Sequence, residues 1–457
     1  HEEIVDRGFL LHGNIFLGNA LVDMYAKCGL LAKARKVLEE LPIRNVVTWS
    51  ALISGYVQHG HGRQALDCFA QMQREGLSPN EITFTSILKA CGSIGAIDEG
   101  EKIHNEIANN GLLEKNIELG NALVDMYVKC GCLEKSQRVL RGLRFKNVVS
   151  WSTLIAGYTK NGQAHEALNC YAEMQREGVS PNNVTFTCIL NACGSMGAID
   201  KGKQLHNEIV SRGLLEENIA LGNALVDMYA KCGYLSKAEK LVEELPFRNI
   251  VSWNALIAGY ANKGTGQEAL NCFARIQRDG LSPNEITFLC VLTACSHSGK
   301  LDEAQMHYES MYTKYHITPK LEHHTCMVVI FSCAGRFEKA MSVIKTMSSS
   351  DHPSVWLALL SACRKWGKVK LGRLAFDQAI HLDNNLAAAY VLMGSIYAAA
   401  GMEEDADIIE SLRVRNFALK KTIHVDSFSI AHKEGSFSED MLKNFMLKML
   451  EEEKHCG

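Results

Sequence analysis

Leu17-Gly18-Asn19-Ala20-Leu21-Val22-Asp23-Met24-Tyr25-Ala26-Lys27-Cys28-Gly29 returns almost unchanged as Leu119–Gly131 and again as Leu221–Gly233. Both returns fall at an offset of 102 residues, which chance does not produce over thirteen positions. The chain is therefore an array. Outward from this stretch the period divides. Val46-Val47-Thr48-Trp49 begins a second piece, whose tryptophan recurs as Trp151 and Trp253. A third piece, Ile82–Cys91, recurs as Val184–Cys193 and Ile286–Cys295. The pieces are 31, 35 and 36 residues long, each with room for two helices and two short turns. A lone helix pair cannot bury its apolar side, so stacked neighbours must supply the core.

The repeat overrides the prior of about three globular domains for a chain of 457 residues. It predicts instead one elongated all-α solenoid of paired antiparallel helices. In residues 15–45 Leu17, Ala20, Leu21 and Met24 recur at helical spacing, and Gly29 closes that helix. Ala32, Ala34, Val37 and Leu38 pack the second helix, which Pro42 stops. Residues 46–80 carry Trp49, Leu52, Ile53 and Tyr56, then Ala65, Leu66, Phe69 and Met72. Residues 81–116 carry Phe84, Ile87, Leu88 and Cys91, then Ile103 and Ile107. The trio repeats over 117–218 and 219–320, and 321–352 fits one more short repeat.

The ends differ from the array. Residues 1–14 read as the remnant of a preceding repeat, because Ile4-Val5-Asp6-Arg7-Gly8 echoes Ile209-Val210-Ser211-Arg212-Gly213. Two further helix pairs are expected over 353–386 and from Ala387 to about Leu412. Ile423, Val425, Ser427 and Ser429 alternate as a short strand or hairpin would, and Ser438–Glu453 reads as a terminal helix.

Charge is nearly balanced, −3 with histidine neutral, which argues against a strongly basic nucleic-acid-binding fold but leaves a local groove open. The 16 cysteines mostly recur with the repeat, as Cys28, Cys130 and Cys232 do, and read as small apolar residues rather than a disulfide framework. No eighteen-residue apolar run is present, so no membrane span is expected.

The alternation of lengths, Val-Ser-Trp in the middle piece and Asn-Ala-Leu-Val-Asp-Met-Tyr-Ala-Lys-Cys-Gly in the short one resemble plant pentatricopeptide repeat proteins of the mixed-length, PLS subclass. The resemblance covers practically the whole chain. It implies a right-handed superhelix with an array over 15–352. Residues 353–386, opening Trp356-Leu357-Ala358-Leu359-Leu360, resemble the first E element that follows such arrays. Residues 387–436, with Tyr390-Val391-Leu392 and Ile396-Tyr397-Ala398, resemble a degenerate second one; 437–457 form a helix and tail. The family's Gly-Cys-Ser-Trp-Ile segment is reduced to Asp426-Ser427-Phe428-Ser429-Ile430, which puts its docking role in doubt.

In this family the first helices line one face, and the fifth and last residues of a repeat read one RNA base while an apolar second residue packs against it. Carried over, the reading pairs are Asn19 with Asn45, Ser50 with Asn80, Thr85 with Asn116, and Asn121 with Asn147. They continue as Ser152 with Asn182, Thr187 with Asn218, Asn223 with Asn249, and Asn254 with Asn284. The resemblance assigns paired Asn to pyrimidines and Ser or Thr with Asn to adenine, less sharply in the 36-residue type. Phe16, Val47, Ile82, Val149, Val184, Val251 and Ile286 occupy the stacking position, although solenoid core explains them nearly as well. Asn and Ser also cap helices, and each last Asn precedes a new helix. Glu118 breaks the apolar pattern, and Leu289 with Lys320 and Thr325 with His352 are poor pairs, so readout is expected to fade toward the C-terminal end. Trp49, Trp151 and Trp253 are expected in the core. Lys27, Lys129 and Lys231 suit either a phosphate or the negative end of the helix dipole.

No catalytic constellation stands out. A zinc deaminase needs His-x-Glu followed by Pro-Cys-x-x-Cys. The chain has no Cys-x-x-Cys, only Cys130-Gly131-Cys132, and its His307-Tyr308-Glu309 sits inside a repeat, where a helix surface is expected. His323-His324 and His455-Cys456 lack a ligand set. Neither a nucleophile elbow nor a phosphate-binding loop is found. The expected function is a non-catalytic, sequence-specific adaptor for single-stranded RNA in organellar RNA processing, C-to-U editing above all. A deaminase or editing accessory protein would act in trans, no cofactor is needed, and the resemblance places the protein in a plant mitochondrion or chloroplast. The alternative is a protein-binding helical scaffold.

Overall fold

Each apolar-periodic segment becomes a helix, and a glycine of positive φ follows the first helix of every described repeat. Helix Ile15–Lys27 closes over Gly29, whose φ of 74° lies in the left-handed region that a side chain disfavours. The Gly29 N–H donates to Ala26 O at 3.1 Å and the Leu30 N–H to Tyr25 O at 2.9 Å, which satisfies the last carbonyls and reverses the chain into Leu31–Glu40. The computed structural model describes residues 15–423 except 115, 217, 247 and 348–351. Among the described residues regular structure is helical throughout, without a strand.

The three repeat lengths have a local origin. The short type pairs a 13-residue helix, Ile15–Lys27, with a 10-residue one, Leu31–Glu40. The middle type pairs two 13-residue helices, Val46–Gln58 and Gly62–Arg74. The first long repeat has a 14-residue first helix, Glu81–Ile94, and a one-turn 3₁₀ segment, Leu112–Glu114, after Ile97–Asn109; the second long repeat also opens on 14 residues, Asn183–Met196, and the third on 13, Glu285–His297. Short links between paired helices make neighbours antiparallel.

The chain forms two compact units, His1–Met228 and Tyr229–Gly457. Within the first, each first helix packs on its own second helix and on the first helix of the next repeat, from Ile15–Lys27 through Asn183–Met196. Trp49, Trp151, Phe84 and Phe186 are fully buried at these seams. The same scheme runs through the second unit from Ile250–Asn262 to Ala387–Ala399, around Trp253, Phe288 and Phe376. Close approach needs glycine: a Cβ at Gly55 would stand 2.5 Å from Ala26 Cβ, and at Gly157 2.7 Å from Val128 Cγ1.

Several expectations need correction. The buried side of Ile15–Lys27 is Gly18, Leu21, Val22 and Ala26, whereas Ala20 is exposed and Met24 is 43% exposed. Met126 and Met228 are buried because the preceding second helix lays Gly100 and Gly202 against them; Met24 has no such cover among the described residues. Ala32 is exposed as well. The last helix, Glu403–Ile423, runs well past Leu412. No Gly or Pro interrupts it, Arg413 pairs with Glu410 one turn back, and Asn416 Nδ2 donates to Tyr390 Oη at 2.8 Å. That helix includes Ile423, the first residue of the expected alternation; the rest of that segment, the helix at Ser438–Glu453 and residues 1–14 lie outside the described residues.

Candidate nucleic-acid interface

All eight terminal asparagines of the reading pairs are helix N-caps. Asn45, Asn80, Asn116, Asn147, Asn182, Asn218, Asn249 and Asn284 each accept, through Oδ1, the backbone N–H three residues on, at 2.9 to 3.2 Å. The cap and the expected base contact thus fall on one side chain. The cap consumes the oxygen and fixes the amide orientation, so the NH₂ group is the part free to face a ligand.

The fifth residues are brought to these caps. Ser50 Oγ lies 3.4 Å from Asn80 Oδ1, and Ser152 Oγ 3.4 Å from Asn182 Oδ1. Asn254 Nδ2 donates to Asn284 Oδ1 at 3.2 Å. Asn19 reaches Asn45 through Thr48, whose hydroxyl stands 2.8 Å from Asn19 Oδ1 and 2.9 Å from Asn45 Oδ1. Asn121 Oδ1 is buried without a hydrogen bond, while Ser150 turns its hydroxyl to Asn147 O. Asn223 is half-buried in the first unit, and Asn249 caps Ile250–Asn262 in the second. The long repeats differ. Thr85 and Thr187 donate back to Glu81 O and Asn183 O within their own helices, both at 2.8 Å, and the helices capped by Asn116 and Asn218 carry Leu119 and Leu221 where others carry a hydroxyl.

That hydroxyl, three residues after the cap, was not singled out by the sequence. Thr48, Thr83, Ser150, Thr185, Ser252 and Thr287 are all fully buried. The signal lay in the capping-box pattern Asn-x-x-Thr/Ser, which recurs with the middle and long repeats.

The stacking-position residues resolve toward solvent. Phe16 is 84% exposed, and Val47, Ile82, Val149, Val184, Val251 and Ile286 are 41 to 63% exposed. They sit in the first turn of their helices, at the second position of each repeat, and the core account of them fails. Glu118 is exposed at the same register. Within each unit these exposed apolar side chains, all but Ile286 three residues from a polar fifth residue, offer faces on which bases can stack.

At the C-terminal side the arrangement changes. Leu289 and Thr325 are buried. At the start of Leu321–Cys333, Lys320 replaces the capping Asn, and His323 replaces the hydroxyl. His323 Nδ1 accepts the Lys320 N–H at 3.1 Å, and its Nε2 lies 2.9 Å from Glu285 O, which defines a neutral Nε2–H tautomer. Burial holds its pKa below the usual imidazole value. Lys320 pairs with Glu285. His352 is exposed before Pro353–Lys365 and caps nothing through its side chain.

The remaining candidates take structural places. The tryptophans are core, with Trp49 Nε1–H donating to Glu75 at 3.0 Å and the Arg275 guanidinium 5.0 Å over the Trp253 ring. Lys27 and Lys129 pair with Asp23 and Asp125 one turn back in their own helices, at 2.7 and 2.9 Å. His307 is not on a surface. It packs edge-on against Phe273, centroids 4.9 Å apart, because this face of Leu301–Thr313 turns inward onto the preceding helix pair. Cys28 is exposed, and Cys130 and Cys232 half-buried, since they follow their helices instead of facing the core. The buried thiols are others, such as Cys91 and Cys272, which burial pushes up to about 12. Among the described residues no three His, Cys, Asp or Glu side chains gather as a metal site.

Models of the PPR repeat and the PPR repeat family match residues 19–112, 121–214, 223–314 and 322–352 in overlapping segments. The chain belongs to the pentatricopeptide repeat family. The chloroplastic pentatricopeptide repeat-containing protein CRR2 of Arabidopsis thaliana is 34% identical over all of this chain and 71% of its own length. A mitochondrial pentatricopeptide repeat-containing protein of the same plant is 34% identical over 88% of this chain and 73% of its own. Against a third, 35% identical over 87% of this chain, the chain spans only 54% of the relative's length. The crystal structure of the pentatricopeptide repeat protein PPR10 in complex with an 18-nt psaJ RNA element superposes with a TM-score of 0.68. That match is 18% identical and covers 89% of this chain and 61% of PPR10. It shows the shared helical-repeat fold.

Proposed function

We propose that this pentatricopeptide repeat protein is a sequence-specific single-stranded RNA-binding adaptor in a plant mitochondrion or chloroplast. In this reading it marks sites for C-to-U editing by a deaminase supplied in trans. The array is of the PLS type over 15–352, with E1-like and degenerate E2-like elements over 353–386 and 387–436. One observation carries the proposal. In each of the three middle-type repeats a polar fifth residue, Ser50, Ser152 or Asn254, meets the capping Asn of the next helix within hydrogen-bonding distance, beside an exposed apolar side chain. A base needs those two things, an edge to hydrogen-bond and a face to stack on. Support for RNA as the ligand comes from PPR10, crystallised with RNA, and for an organelle from relatives named chloroplastic and mitochondrial.

The test is selection from randomised single-stranded RNA. With the N-terminal repeats toward the 5′ side, the recovered series should read pyrimidine, adenine, weak adenine, pyrimidine, adenine, weak adenine, pyrimidine, pyrimidine. The sharpest positions should belong to Ser50/Asn80 and Ser152/Asn182. Equal binding of the series and its shuffled form would sink the proposal in favour of a protein-binding scaffold. The chain alone should leave cytidine in bound RNA unchanged, with or without zinc, and conversion should appear only when a separate deaminase protein is added.

A further inference from the structure

We infer that the buried hydroxyl three residues after the capping Asn is a third member of each sharp reading site: a positioning residue that sets which hydrogen-bonding face the site shows to a base. The inference rests on the RNA-reading proposal and adds a residue to it.

The Ser50 and Thr83 hydroxyls have two protons to share among the oxygens around them. Asn80 Oδ1 already accepts the Thr83 backbone N–H at 2.9 Å, so the amide cannot flip. Thr83 Oγ1 lies 2.8 Å from that same oxygen and 2.6 Å from Ser50 Oγ. A hydroxyl has one proton. Were Thr83 to donate to Ser50, two lone pairs would face each other at the 2.8 Å contact. Thr83 therefore donates to Asn80. The one Ser50 proton then goes to Thr83 Oγ1 at 2.6 Å or to Val46 O at 2.7 Å, and on either path Ser50 has no proton to offer a ligand and can only accept. The relay through Thr83 saturates the Asn80 oxygen, and the Ser50 proton is held inside the protein. What remains for a ligand is an acceptor on Ser50 and a donor on Asn80. Ser152, Thr185 and Asn182 repeat the geometry at 2.7 and 2.9 Å.

An acceptor beside a donor matches bases whose Watson–Crick edge shows an amino group next to a bare ring nitrogen, adenine and cytosine. It opposes guanine and uracil, where a carbonyl adjoins a ring N–H. The small serine leaves room for the purine. Asn254 and Asn284 reach the same polarity by another route. Asn254 donates its NH₂ to Asn284 Oδ1 and keeps its own oxygen, on a side chain only 4% exposed, without a partner in the protein. In the long repeats Leu119 and Leu221 supply no hydroxyl, and the threonine proton is spent on its own helix, so no relay forms.

The test measures binding of the full chain at fixed salt to the single-stranded RNA series with each base in turn at the Ser50/Asn80 position. Thr83→Val keeps the shape and the Asn80 cap but frees an Asn80 lone pair and removes one of the two acceptors that hold the Ser50 proton. Preference for adenine over guanine should fall about five- to tenfold there, the scale of one hydrogen bond, and stay unchanged at the Ser152/Asn182 position. Thr83→Ser should restore it. Thr185→Val should move the loss to the other position, which keeps the test open if Thr83→Val folds poorly. A uniform weakening across the four bases, or no change, overturns the inference when Asn80→Asp still shifts base preference. If Asn80→Asp shifts nothing either, the RNA-reading proposal itself fails.

Discussion

On the proposed reading Asn80 holds two jobs on one side chain, and they separate because they use different atoms. Its oxygen caps Glu81–Ile94, which leaves its NH₂ group for a base. Asp caps a helix as well as Asn does and suits the positive end of the dipole. Asn80→Asp therefore keeps the fold while exchanging an outward donor for an acceptor. The expected outcome is a shift from adenine toward guanine at that single position, worth roughly 1–3 kcal/mol of discrimination. Asn80→Ala loses both jobs. It should cost about 1 kcal/mol of stability through the lost cap and flatten the base preference. Thermal unfolding beside binding to the four single-base RNA variants distinguishes the two substitutions. Equal weakening of every RNA by Asn80→Asp would reduce Asn80 to a cap.

Among elements, the pair Leu301–Thr313 and Leu321–Cys333 stands apart because it buries imidazoles. Burial holds His307, His323 and His324 below the ordinary value near 6.5, and His104 in the first unit likewise. The unfolded chain takes up these protons near pH 6.5, and the folded chain refuses them until lower pH. Stability is thus fully present above about 6.5 and lost as pH falls through the folded values. Protonation of His323 would also set an N–H against the Lys320 N–H it now accepts. The urea midpoint should drop between about pH 7.5 and pH 5.5. His323→Thr, which installs the hydroxyl found at this place in other repeats, should remove part of that drop. A midpoint that holds or rises on acidification would refute it. Near His323 the charged groups are Glu285, Glu322 and Lys320, whose effects burial outweighs.

Elements of this array were legible because the 102-residue period, the turn glycines and the tryptophans each carry one reading. Faces were harder. Met24 and Met126 are the same residue in the same motif, yet one is exposed and the other buried, because burial is decided by the neighbour before it. The paired readers were reachable by resemblance, but the Thr83 bridge was not. A threonine at the third helical position reads as capping chemistry, and only the fold brings it within 2.6 Å of Ser50, thirty-three residues earlier. His307 was misplaced for a related reason: His in a mostly polar helix looks solvated until Phe273 is found beside it.

For the whole molecule the balance of forces on RNA follows from charge. Formal net charge is −3, and Lys27 and Lys129, the lysines the sequence offered for phosphate, are engaged by Asp23 and Asp125 in their own helices. A protein that held RNA mainly by its backbone would release many counterions, with log K falling by about 0.7 per phosphate for each tenfold rise in salt on a single strand. On the proposed reading the apolar side chains and the reading pairs supply most of the affinity, through stacking worth about 1–3 kcal/mol per base and through base-edge hydrogen bonds. Affinity for the series in the proposed order should therefore decline gently with salt. A slope shallower than about −3 corresponds to roughly four phosphate contacts or fewer. The preference over shuffled RNA should survive as salt rises, because base contacts release no counterions. A steep slope shared by ordered and shuffled RNA would mean a cationic track binding any strand, and the exposed apolar row would then need a protein partner to explain it.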